Sequence, residues 1–178
     1  MTKIRMNRAI VATLVLLLIQ TSVLPWLVPS AWNGRLLLHL PFIMTVFVAL
    51  LGGRHRAFLF GLGFGLLEDM LFYGHMIGAY AFGMALFGYL IGLAFERKLN
   101  TLAFVLLLTG VGSGLLDMLV YFVYKLFSLT HLNASFVFYW QVLPTLLLQM
   151  LVALALYLPL RRYLVRQVVS QSETAEGN

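Results

Sequence analysis

The sequence predicts an all-α integral membrane protein in which six transmembrane helices are joined by short loops. Three observations predict it. Hydrophobic residues fill 62% of the 178 positions while charged residues fill 10%, against about 25% charged in soluble domains. The mean hydropathy is +0.95. The charges collect at the ends of six apolar blocks, each near the roughly 20 residues that a helix needs to cross a hydrocarbon core of about 30 Å. These blocks leave no stretch long enough for a soluble domain, so any functional surface must lie in the spans or their loops. Residues 1–169 are therefore expected to form a single six-span domain, and the polar residues 170–178 a disordered cytoplasmic tail.

The first block, residues 9–28, follows Lys3, Arg5 and Arg8 and ends in Pro25, Trp26 and Pro29, the punctuation expected at a membrane interface. Its length, and the want of a small-x-small cleavage pattern after it, favour a retained span over a signal peptide. A turn at Trp32, Asn33, Gly34 and Arg35 leads to the second span, 36–51, with His39, Pro41 and Thr45 inside it. Gly52, Gly53, Arg54, His55 and Arg56 close that span. The third, 57–73, turns through Gly74 and Gly78 directly into a fourth ending at Phe95. The fifth runs over 102–127 and the sixth over 136–160, separated by the polar loop 128–135. Pro144 lies inside the sixth and frees the carbonyl of Trp140, so a kink is expected beside Gln141. Arg161, Arg162 and Arg166, interspersed with apolar residues, suit a short helix on the membrane surface.

With the amino terminus placed in the cytoplasm, ten lysines and arginines fall inside and two, Arg35 and Lys125, outside. Positive charge concentrates on the cytoplasmic side of membrane proteins, so both termini are expected there. The same grouping explains the net charge of +6 without nucleic acid. The chain has no cysteine, which excludes disulfides and thiolate chemistry. Its four histidines are scattered over four segments without metal-ligand spacing. No metal or cofactor is expected.

The richest stretch is the run from Gly61, Gly-Leu-Gly-Phe-Gly-Leu-Leu-Glu-Asp-Met-Leu, whose wording returns from Gly110 as Gly-Val-Gly-Ser-Gly-Leu-Leu-Asp-Met-Leu. Gly61 and Gly65, like Gly110 and Gly114, share a helix face and let a neighbouring backbone approach where lipid gives no hydrophobic drive. A second small-residue seam, Gly78, Ala81, Ala85, Gly88 and Gly92, marks the fourth span as the expected central packing contact. From the helical rise, Asp69 and Asp117 should lie about 18–22 Å from the cytoplasmic edge, with His39 and Gln141 at similar height. Intramembrane acids cost about 2.5–3.5 kcal/mol each on insertion scales, so three readings stand for Glu68, Asp69 and Asp117. They hydrogen-bond between helices in protonated form, or line an outward groove, with His39 and Gln141, for a ligand or a partner's helix, or transfer protons, the reading least favoured because no relay of acids runs through the full depth. Neither glycine run satisfies the dinucleotide-binding pattern, and no nucleophile sits in a catalytic setting.

The size, the acid-bearing third span followed by Gly74-x-x-x-Gly78, and the later acid resemble the rod shape-determining protein MreD family over residues 36–160. Gly61, Gly65, Asp69, Gly74 and Gly78 match its glycine–acid pattern, and Asp117 its later acid; Glu68 stands where an apolar residue is usual. The resemblance implies a non-enzymatic inner-membrane member of the bacterial elongation machinery. Its partners would be an MreC-like protein and, through it, the MreB filament and the RodA–penicillin-binding protein synthase that lays down lateral peptidoglycan. It also implies a fold similar to the substrate-binding subunits of energy-coupling-factor transporters. A vitamin-type substrate-binding subunit is accordingly the alternative.

Overall fold

The computed structural model describes residues 6–22, 38–72, 76–95 and 102–165, with side chains to 157. All regular structure among them is helical. Six helices follow one another: α1 Met6–Ser22, α2 Leu40–Gly52, α3 Arg54–Phe72, α4 Ala79–Phe95, α5 Leu102–Leu126, and α6. The last begins as Ala134–Val137, passes through a π-helical turn Phe138–Val142 and continues as Leu143–Val165. Two helical stretches, Leu102–Leu126 and Ala134–Tyr157, are long and apolar enough to cross a membrane by length and composition alone. The expected tail 170–178, the turn at Trp32–Arg35 and the charges Arg97 and Lys98 lie outside the described residues.

The centre of the bundle is α2, where the sequence suggested the fourth span. Every residue from Leu40 to Leu50 is buried, as befits a helix that is apolar all round. It starts later than expected because Pro41 belongs in a first turn, where its missing N–H breaks no helical bond. It ends at Gly53, whose φ of 88° an L side chain would resist, and α3 begins at the next residue.

Helices α3 and α4 run antiparallel and touch backbone to backbone. A Cβ added to Gly61 would stand 2.6 Å from Met84 O, on Gly65 2.5 Å from Ala81 Cα, and on Gly92 2.6 Å from Arg54 Cα. Gly88 faces Thr45 and the Ala57 carbonyl, and Ala81 and Ala85 are buried along the same seam. Gly78 departs from the expectation of packing. It sits in the turn before α4 with a φ of 108° and nothing within 4 Å of an added Cβ, so its role is conformational. Gly110 and Gly114 accept side chains instead of backbone, from Met150 and Leu146 of α6.

Pro144 leaves its mark one turn upstream. Because it offers no N–H to the Trp140 carbonyl, the helix adopts the wider winding, and the Leu143 N–H bonds to Phe138 O five residues back. A π turn thus replaces a simple kink. Arg161 and Arg162 continue α6 through Val165, and Arg166, the remaining charge of the expected surface helix, lies outside the described residues.

Candidate functional site

His39, the residue immediately before α2, shares hydrogen bonds with side chains of three helices, and a fourth joins the cluster through its neighbours Glu68 and Leu40. Its Nδ1 lies 3.2 Å from Glu68 Oε1 of α3, and its Nε2 3.0 Å from Asp117 Oδ1 of α5. Its backbone N–H donates to Gln149 Oε1 of α6 at 3.2 Å, while Gln149 Nε2 donates to the His39 carbonyl at 2.8 Å. Gln20 of α1 donates to Glu68 Oε1 at 3.0 Å and accepts the Leu40 N–H at 3.1 Å. Tyr80 of α4 packs its ring 4.8 Å from the imidazole.

Chain direction explains why these groups meet. The first N–H groups of a helix have no partner within it, and α2 starts in the interior, so its leading donors need side chains from neighbours. The two glutamine amides supply an acceptor and a donor each. All but one of these side chains are buried: His39, Glu68 and Gln149 are fully enclosed, while the Asp117 side chain retains 9% exposure. Unpaired polar groups in such surroundings cost roughly 1–3 kcal/mol each. Among the described residues, Glu68 Oε2 and Tyr124 Oη are buried without a partner.

Asp69 does different work from its neighbour. Its carboxylate accepts the N–H groups of Gly78 and Ala81 on Oδ2, both at 3.0 Å, and of Tyr80 on Oδ1 at 3.2 Å. It therefore caps the start of α4, where negative charge also meets the favourable end of the helix dipole. The positive φ of Gly78 aims that amide at the acid. Both Asp69 oxygens are used and the residue is fully buried, so it does not present itself to an outside partner.

Of the residues singled out in the sequence, His39, Glu68 and Asp117 are brought together, Asp69 lies apart on the α4 cap, and Gln141 is elsewhere. Gln141 is half-buried on the π turn, and Gln149, about two turns further on, takes the place beside His39. Gln149 and Gln20 escaped sequence reasoning. Their signal was an amide in an otherwise apolar span, an expensive residue there without a partner. The glycine echo also contained the pairing: Glu68 follows Gly65 by three residues, as Asp117 follows Gly114. The structure joins those two acids through His39.

The chemistry available here is proton sharing and helix fastening. Among the described residues no group of three or more His, Cys, Asp or Glu side chains is placed to hold a metal ion.

The sequence matches the family described as rod shape-determining protein MreD over residues 3–167. It is also 34% identical over 125 residues to the rod shape-determining protein MreD of Bacillus subtilis (strain 168), covering 68% of this chain and 70% of that protein. No solved structure matches it.

Proposed function

Because this chain belongs to the rod shape-determining protein MreD family, we propose that it is a non-enzymatic scaffold of the bacterial elongation machinery in the inner membrane. In this reading it binds an MreC-like protein and, through it, supports lateral peptidoglycan synthesis by the RodA–penicillin-binding protein synthase under the MreB filament. The observation that carries the proposal is the family match across nearly the whole chain. The interior supports it: His39, Glu68, Asp69 and Gln149 spend their hydrogen bonds on neighbouring helices, which suits a rigid platform. The split of basic residues supports a multi-pass topology with both termini cytoplasmic. Asp117, at the edge of the cluster, is the groove residue best placed to meet a partner's helix.

Depletion in the bacterium that encodes the protein tests this. Cells should round up, and a fluorescent D-amino acid should cease to be incorporated along the side wall. Rods that keep lateral incorporation after the protein is gone would overturn the reading.

A further inference from the structure

The imidazole of His39 bridges two carboxyl groups that differ in access. Asp117 is 9% exposed and Glu68 is fully enclosed, and Glu68 Oε2 has no partner although it is buried. A neutral imidazole carries one N–H donor and one acceptor nitrogen. Each of the two bonds to His39 needs one proton, so the trio holds two protons and a net charge of −1. That holds whether the second proton sits on the ring or on a carboxyl.

We propose that Asp117, His39 and Glu68 form a proton relay leading from the partly exposed carboxyl of Asp117 to a buried end at Glu68. In one state Asp117 is the acid: its Oδ1–H donates to Nε2, while Nδ1–H donates to the Glu68 carboxylate. Transfer breaks the Oδ1–H bond and forms Nε2–H, then breaks Nδ1–H and forms Glu68 Oε1–H. In the second state Glu68 is the neutral acid and Asp117 the carboxylate. No proton is gained or lost, and the negative charge moves from the enclosed end to the accessible one.

The surroundings suit this exchange. Gln149 clamps the His39 backbone from both sides and Tyr80 covers the ring, so the imidazole stays aligned with both acids. Facing groups from the packed elements are Gln20, Tyr80 and Gln149, all uncharged, and Asp69, whose charge is taken up by the α4 amides. Lys125 is roughly 12 Å further along α5. The relay also reaches α1, because Glu68 Oε1 accepts the Gln20 amide, and that bond is stronger to a carboxylate than to a neutral acid.

Infrared spectroscopy of the purified full chain in detergent tests the relay, reading the carbonyl stretch of protonated carboxylic acids in H2O and D2O. The wild type should show, near neutral pH, a deuterium-sensitive band whose area equals one acid per chain. Glu68→Gln and Asp117→Asn should each abolish it, since the remaining carboxylate then simply accepts the imidazole N–H. A wild-type spectrum without the band would mean an imidazolium fixed between two carboxylates, and would overturn the relay without any variant. A band that survives either substitution in protein eluting as a single species would place the proton on one acid or elsewhere, and would overturn it too.

Discussion

Gly65 and Gly63, two residues apart on α3, should respond in opposite ways to the same added methyl group. A Cβ at Gly65 would stand 2.5 Å from Ala81 Cα and 2.9 Å from Ala81 N, whereas carbon atoms settle at about 3.5–4.0 Å. The obstacle is backbone and cannot rotate away, so the α3 and α4 axes must part by about 1 Å. The Asp69 cap sits one turn further along, and its bonds of 3.0–3.2 Å would stretch towards the limit of a useful hydrogen bond. Overpacking costs about 1–3 kcal/mol and a lost bond to a charged group about 1.5–3, so Gly65→Ala should destabilise by about 3–5 kcal/mol. At Gly63 nothing lies within 4 Å, and alanine there should stabilise by about 0.5–1 kcal/mol through helix propensity. Both effects are readable as shifts in the unfolding midpoint of purified protein in mild detergent titrated with dodecyl sulfate. Equal shifts from the two substitutions would refute the close contact of α3 with α4.

Asp69→Ala strands three amides at the start of α4 and should lower stability in the same titration by about 2–4 kcal/mol. Gln149→Leu removes both side-chain hydrogen bonds to the His39 backbone and should cost a similar amount, about 2–4 kcal/mol. Gly78→Ala should cost about 1–2 kcal/mol from its left-handed backbone alone, with no steric contact to explain it. Single cysteines replacing Arg56, Lys98 and Asn133 test topology without background labelling. An impermeant thiol reagent should modify intact cells at Asn133 and leave the other two unmarked.

The order of helices was legible because each is an apolar block bounded by charge or by Gly and Pro, and the expected 102–127 became Leu102–Leu126. The Gly61–Gly65 face was legible because small residues four apart can only mean close approach or a void. What local pattern could not encode is which helix lies opposite. Gly78 fits the spacing of the α4 seam, yet a turn precedes α4, so the residue serves the Asp69 cap. Gln141 has the right height by helical rise, but height does not fix azimuth, and the π turn before Pro144 alters the winding. Gln149 meets His39 because α2 starts inside the bundle with its leading N–H groups exposed to α1 and α6. That start depends on Pro41 and on the tertiary placement of α2, neither of which periodicity reports.

The scaffold reading rests on a stable partner, and its most direct measurement is affinity purification from membranes of the bacterium that encodes the protein. A tagged chain extracted in mild detergent should carry the MreC-like protein of the same cell in fixed proportion through a second, size-based separation. Recovery of the chain without that protein, and with a stoichiometric small molecule in its place, would contradict the account.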